Sequence, residues 1–129
     1  IKENGIGLLN WFMKQRNSVN GFRQAIWTGQ TTLQLAKTIE EAVSQKVCGL
    51  YNMVPNESIS KYDLLNLFNK YIRKIPIEIY PQDSFITDKS LIRTRFEGFD
   101  YRIPDYETMI KELGIWMRKH KELYPHYEL

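Results

Sequence analysis

Cysteine is nearly absent: Cys48 is the only one among 129 residues, so no internal disulfide can staple the fold and no cysteine cage can hold zinc. That scarcity suits a reducing compartment, and a cytoplasmic location is the expectation. Long apolar runs are missing too. Nothing approaches the ~18 residues of a membrane span, and no basic-then-apolar leader is visible, so no membrane partner is expected. Neither sign of charge dominates, with 18 Lys and Arg against 15 Asp and Glu for a formal net charge of +3. The basic stretches Arg73-Lys74, Arg93-x-Arg95 and Arg118-Lys119-His120-Lys121 are each too short for a nucleic-acid tract, so no nucleic-acid partner is expected. Internal repeats and low-complexity segments are absent. An initiator Met is absent as well, since Ile1 opens the chain, and a piece of a longer protein is the expectation.

Catalytic motifs are also missing. There is no phosphate-binding Walker loop, and Gly5-Ile6-Gly7 is followed by Asn10, so the third glycine of a dinucleotide fingerprint is lacking. No cofactor is expected to bind this chain alone. His120 and His126 flank one carboxylate, Glu122, without a third convincing metal ligand, and a surface tail accounts for them. Glu40 and Glu41 are adjacent, which on a helix sets them about 100° apart and prevents their acting as a carboxylate pair. Cys48 falls in an expected buried strand, where a thiol is inert. No serine sits on a nucleophile elbow. The residues by themselves therefore hold no complete active site.

What is present is the composition of one globular domain: 43% hydrophobic, 26% charged, and long enough to bury about two-thirds of its unfolded surface. Leu8, Leu9, Phe12 and Met13 predict a helix from about Gly7 to Arg16, ended by the turn formers Asn17 to Gly21. Phe22 to Trp27 reads as extended. Thr31 and Gln34 make a capping box, and Leu35, Ile39 and Ala42, with Ala36 and Val43 beside them, predict the buried stripe of the next helix. Val47 to Val54, closed by Pro55, predicts a largely buried strand. Ser60 and Asp63 open a helix that buries Leu64, Leu65, Phe68, Tyr71 and Ile72. Ile77 to Tyr80 predicts a short strand stopped by Pro81, and a last helix after Pro104-Asp105 buries Tyr106, Met109, Ile110 and Leu113, with Trp116 and Met117 next along it. Strands alternating with helices imply an α/β class. The segment from Gln82 to Pro104 lacks periodicity, as functional or partner-dependent segments do. Of the three tryptophans, Trp11 and Trp116 read as core residues, whereas Trp27, at a strand end beside Thr28-Gly29, is equally suited to a ligand.

The stretch from Ala25 to Ala36, Ala-Ile-Trp-Thr-Gly-Gln-Thr-Thr-Leu-Gln-Leu-Ala, resembles the dTDP-4-dehydrorhamnose reductases and related sugar-nucleotide reductases and epimerases of the extended short-chain dehydrogenase group. Collinear matches follow at Gly49 to Asn52, Ile59 to Leu65, Asp88 to Leu91 with Arg95-Phe96, and Tyr101 to Ile110. This resemblance implies that residues 1–129 form a single C-terminal, substrate-side lobe of an extended short-chain dehydrogenase, small and built of short strands alternating with helices. It also implies an upstream Rossmann domain that binds NAD(P) and carries a Tyr-x-x-x-Lys pair. None of the eight tyrosines here is followed by Lys four positions on, so the chain alone is expected to be inactive.

Two family features are absent. Phe85-Ile86-Thr87 stands where an Arg-Pro pair is common, and Trp27 stands near the position of an epimerase-branch Arg that helps bind the nucleotide diphosphate. Arg23, Arg93 and Arg95 are the alternative phosphate-binding candidates, each equally suited to a solvated surface. Asn4 matches a loop Asn near the sugar diphosphate in relatives, and Trp27 completes the candidate substrate-binding set. The implied substrate is a nucleotide-linked keto-sugar. A non-catalytic α/β protein-interaction module is the alternative, and a nucleic-acid binder a weaker third. Without its upstream domain, the first helix is expected to be partly uncovered and to make the lobe a homodimer.

Overall fold

The computed structural model describes residues 5–129, which form four helices, five short strands and a C-terminal 3-10 turn. Helix α1 (Leu8–Lys14) buries Leu9, Phe12 and Met13, the i, i+3, i+4 face of the expected pattern. It stops two residues short of Arg16. The guanidinium of Arg73 donates to the carbonyls of Phe12 at 2.8 Å and Gln15 at 3.0 Å, reinforcing a helix end where the Phe12 carbonyl also accepts the Gln15 N–H at 3.1 Å. Asn10 is buried and accepts a 2.7 Å bond from the hydroxyl of Tyr127, which ties α1 to the C-terminal tail.

The extended stretch from Phe22 to Trp27 is two strands rather than one. β1 (Val19–Phe22) begins inside the expected turn of residues 17–21, and β2 (Ala25–Trp27) follows a break at Arg23-Gln24. β1 pairs in parallel with β4 (Ile79–Gln82), Val19 opposite Ile79. β2 lies between β3 (Ile59–Ser60), which is antiparallel to it, and β5 (Thr87–Lys89), which is parallel. Pro81 does not stop β4. A two-stranded sheet leaves each strand an open edge, where the missing proline N–H breaks no ladder. The expected strand from Val47 to Val54 does not form, and Cys48 and Leu50 are exposed. The backbone is not extended here: Lys46 and Gly49 sit at φ of 52° and 110°, in the left-handed region, and a chain that turns at these points cannot present a continuous ladder to a neighbour.

Helix α2 (Thr32–Ser44) faces the opposite way from its sequence pattern. Its buried residues are Gln34 and Thr38, whereas Leu35, Ile39 and Val43 are 44%, 54% and 72% exposed. Thr31 caps it by accepting the Gln34 N–H at 3.1 Å, but the Gln34 side chain does not return to complete the capping box. It donates instead to the Tyr101 hydroxyl at 2.8 Å.

Helix α3 (Lys61–Tyr71) and helix α4 (Tyr106–Lys119) follow their patterns. Ser60 accepts the Asp63 N–H at 3.0 Å, and Asp105 accepts the Thr108 N–H at 2.7 Å, each supplying an N-cap. The two helices pack on each other and on α1, and Phe12, Leu65, Phe68, Ile72, Met109, Ile110 and Met117 join one core. Gly114 lets α4 pass the carbonyl of Tyr71, which an added Cβ would strike. The first helix, expected to lie partly open, is thus covered by its own chain. The surface proposed for a homodimer is inside the core, apart from the exposed Trp11 and the half-buried Leu8. Among the described residues no helix is long and apolar enough to cross a membrane.

Candidate functional site

The loop leaving β2 turns into α2 through Trp27, Thr28, Gly29, Gln30 and Thr31. Its shape is held from several sides. The Gln30 amide donates to the Met53 carbonyl at 2.6 Å, and its carbonyl oxygen accepts from the Thr38 hydroxyl at 2.7 Å. The Thr28 hydroxyl oxygen accepts the Leu91 N–H at 2.8 Å, which joins the ends of β2 and β5. Gly29 packs so closely over the Trp27 indole that a Cβ there would overlap the ring. The Gly29 N–H donates to the Tyr106 hydroxyl at 3.3 Å, and burial pushes the ionisation of that phenol above its usual range.

These residues border a cleft of about 390 Å³, within the size of small-molecule sites. Trp27 and residues 29–32 form one wall, Gly7 to Asn10 another, and Leu64, Phe68, Tyr106, Met109, Ile110 and Leu113 the floor. Trp27 and Tyr106 meet edge to face with centroids 6.2 Å apart. The cleft lies beyond the C-terminal end of β2, the end of parallel strands where open α/β sheets bind ligands. Among the described residues its lining contains no Asp, Glu, Lys, Arg or His. Such a wall can hold an uncharged ring, but it offers nothing to neutralise a diphosphate.

The sequence-derived candidates are dispersed around this cleft. Trp27 is in it. Arg23 lies at the end of β1, where its guanidinium makes a two-point ion pair with Asp83, one arm at 2.9 Å. That pairing raises the arginine's pKa and lowers the carboxyl's. Arg93 is buried and acts as a clasp: its guanidinium donates to the carbonyls of Arg95 at 3.2 Å, Phe99 at 2.7 Å and Tyr101. Arg95 stacks over the Tyr51 ring at 4.4 Å and forms no ion pair among the described residues, so of these three arginines it keeps its charge most available. Asn4 lies outside the described residues. Two residues of the site were not singled out from sequence. Tyr106 reads there only as a core position, and Arg102 falls within the Tyr101 to Ile110 match without being named as a binder, yet it lines two cavities of about 400 and 410 Å³, both shared with Asn56.

Among the described residues no group of three His, Cys, Asp or Glu could hold a metal. Gly5 and Gly7 precede α1 without a described strand ahead of them, so the strand–turn–helix that receives a dinucleotide pyrophosphate is not among these residues.

The sequence matches no protein-family model and no curated protein. Solved structures do match. The crystal structure of dTDP-4-dehydrorhamnose reductase from Bacillus anthracis, in complex with NADP, superposes with a TM-score of 0.70 over 87% of this chain at 14% identity. The fold is that of part of a dTDP-4-dehydrorhamnose reductase. The enzyme from Yersinia enterocolitica gives a TM-score of 0.65 over 84% of the chain at 11% identity. This chain spans only 44% and 42% of the two reductases. It is a mixed α/β unit, as their matched portions are.

Proposed function

We propose that residues 1–129 are the C-terminal, substrate-side lobe of an NAD(P)-dependent reductase acting on a nucleotide-linked keto-sugar, preceded in the parent chain by a Rossmann domain. The observation that carries this reading is the fold match to two dTDP-4-dehydrorhamnose reductases, nearly complete on this side and less than half on theirs. The cleft beyond β2 supports it: Trp27 offers a stacking face for an uncharged ring, and Arg95, which is outside the cleft lining, is the least engaged of the three candidate arginines for the anionic part. The lobe's share of the work is to bind and orient the sugar nucleotide and to exclude water from it. NAD(P), when bound by the parent enzyme, supplies the hydride. The chain's own residues supply neither that hydride nor a proton donor paired with lysine.

The test is the protein encoded upstream of Ile1. A glycine-rich strand–turn–helix and a Tyr-x-x-x-Lys pair are expected there, and the purified full-length protein is expected to oxidise NADPH when given a dTDP-linked 4-keto-sugar. In that enzyme Trp27→Ala and Arg95→Ala are expected to raise KM more than they lower kcat, since both act on binding. An initiator Met directly before Ile1, or a full-length protein inert toward every nucleotide-linked keto-sugar, would sink the reading.

A further inference from the structure

Helix α2 carries the sequence pattern of a core helix and has that pattern outside. Leu35, Ile39 and Val43 recur at i, i+4 and i+8, the spacing that builds one continuous helical stripe, and all three are exposed. On the opposite side Gln34 and Thr38 are buried in hydrogen bonds to Tyr101 and Gln30. Helices normally bury the apolar stripe and leave such amides and hydroxyls in water. Here both faces are specified, one by polar bonds within the chain and the other by apolar side chains that no described residue covers. The stripe starts at the cleft, since Thr32 lines it and stands three residues before Leu35.

We propose that the Leu35–Ile39–Val43 face of α2 is the seat of the upstream half of the parent protein, covered there by an apolar surface of that half. The inference rests on the reading above, that residues 1–129 are one lobe of a longer enzyme. This chain spans only 44% and 42% of the matched reductases, so their fold supplies enough further chain to cover a helix face. An apolar stripe without a charged residue in it calls for an equally apolar, uncharged partner surface. It also moves the interdomain contact away from α1, whose apolar face is already inside the core.

The probe is a single thiol on the stripe. Val43→Cys in a Cys48→Ser background, made both in the 129-residue chain and in the full-length protein, is labelled with a maleimide and read at that peptide by mass spectrometry. Labelling is expected to be at least about tenfold slower in the full-length protein, because burial permits reaction only through local opening. Equal rates in the two, with a Rossmann domain present upstream, overturn this docking surface and leave the functional reading standing. A gene that encodes no such domain overturns both. Protection of the 129-residue chain that grows with its own concentration means that the occupant is a second copy, which also overturns the proposal. As an independent measurement, Ile39→Glu is expected to lower the melting temperature of the full-length protein and to leave that of the 129-residue chain unchanged. An equal drop in both contradicts it.

Discussion

Gly114 shows how narrow the tolerance of the core is at one atom. Alanine is the better helix former by about 1 kcal/mol, yet a methyl group here would meet the backbone carbonyl of Tyr71, which cannot swing aside as a side chain would. Gly114→Ala is therefore expected to destabilise the chain by about 2 kcal/mol, measurable as a lower denaturant midpoint with unchanged slope. Tyr127 gives a pH-dependent counterpart. Burial, with the neighbouring Tyr124 adding to it, raises its pKa from 10.0 to about 12. The neutral phenol is the form the fold favours, so its contribution is complete below pH 10 and is lost as pH rises through about 12. A Tyr127→Phe variant should lack this part of the alkaline loss. It should also be less stable at neutral pH by about 1 kcal/mol, the usual worth of the hydrogen bond to Asn10. Thermal melts from pH 8 to pH 12 would show both effects, and identical alkaline profiles would refute the assignment to Tyr127.

Between residues and domain, the elements divide by how their order is specified. The segment after β5 has no helix or strand from residue 90 to 105, yet it is held, because one guanidinium gathers three carbonyls into a knot and packs its face against Phe96 and Phe99. Arg93→Met keeps the stem and removes all five donors, so a loss of about 2–3 kcal/mol is expected. Faster amide exchange should be confined to residues 93–103, and unchanged exchange there would assign the order of this segment to something else. Arg93 was legible in the sequence only as one of several possible anion binders, since nothing local distinguishes a buried clasp from a solvated cation. Helices α3 and α4 were legible almost to the residue because cap, dipole and apolar period agree within each. The stretch at 47–54 was not, because an apolar run becomes a strand only where its backbone stays extended and meets a partner, and here it turns at Lys46 and Gly49. Trp27 was found at the cleft while Tyr106, its partner across the floor, looked like one more core aromatic.

At the scale of the whole molecule, three helices close one core, and α2 reaches it through the partly buried Leu33. Phe12 has no exposed surface, so Phe12→Glu is expected to unfold the chain, at a cost above about 3 kcal/mol, rather than to separate an assembly. Circular dichroism and sedimentation together distinguish the two outcomes: a folded Phe12→Glu monomer would mean that α1 is a contact surface after all. α2 otherwise stands apart from this core. Beyond the partly buried Leu33, which packs against the core, its anchors are polar: the Gln34 and Thr38 bonds, the Gln45 amide to the Asp100 carbonyl at 3.0 Å and the surface pair Lys37–Glu112. A helix fastened in this way can detach without dissolving what remains, and the natural coordinate for that event is protease susceptibility. Brief trypsin treatment of the 129-residue chain should cut first after Lys37 and Lys46, leaving the α1–α3–α4 body resistant. For the 129-residue chain, the wait before the first cut would then measure how often α2 peels away, so that survival is timed by one largely polar seam.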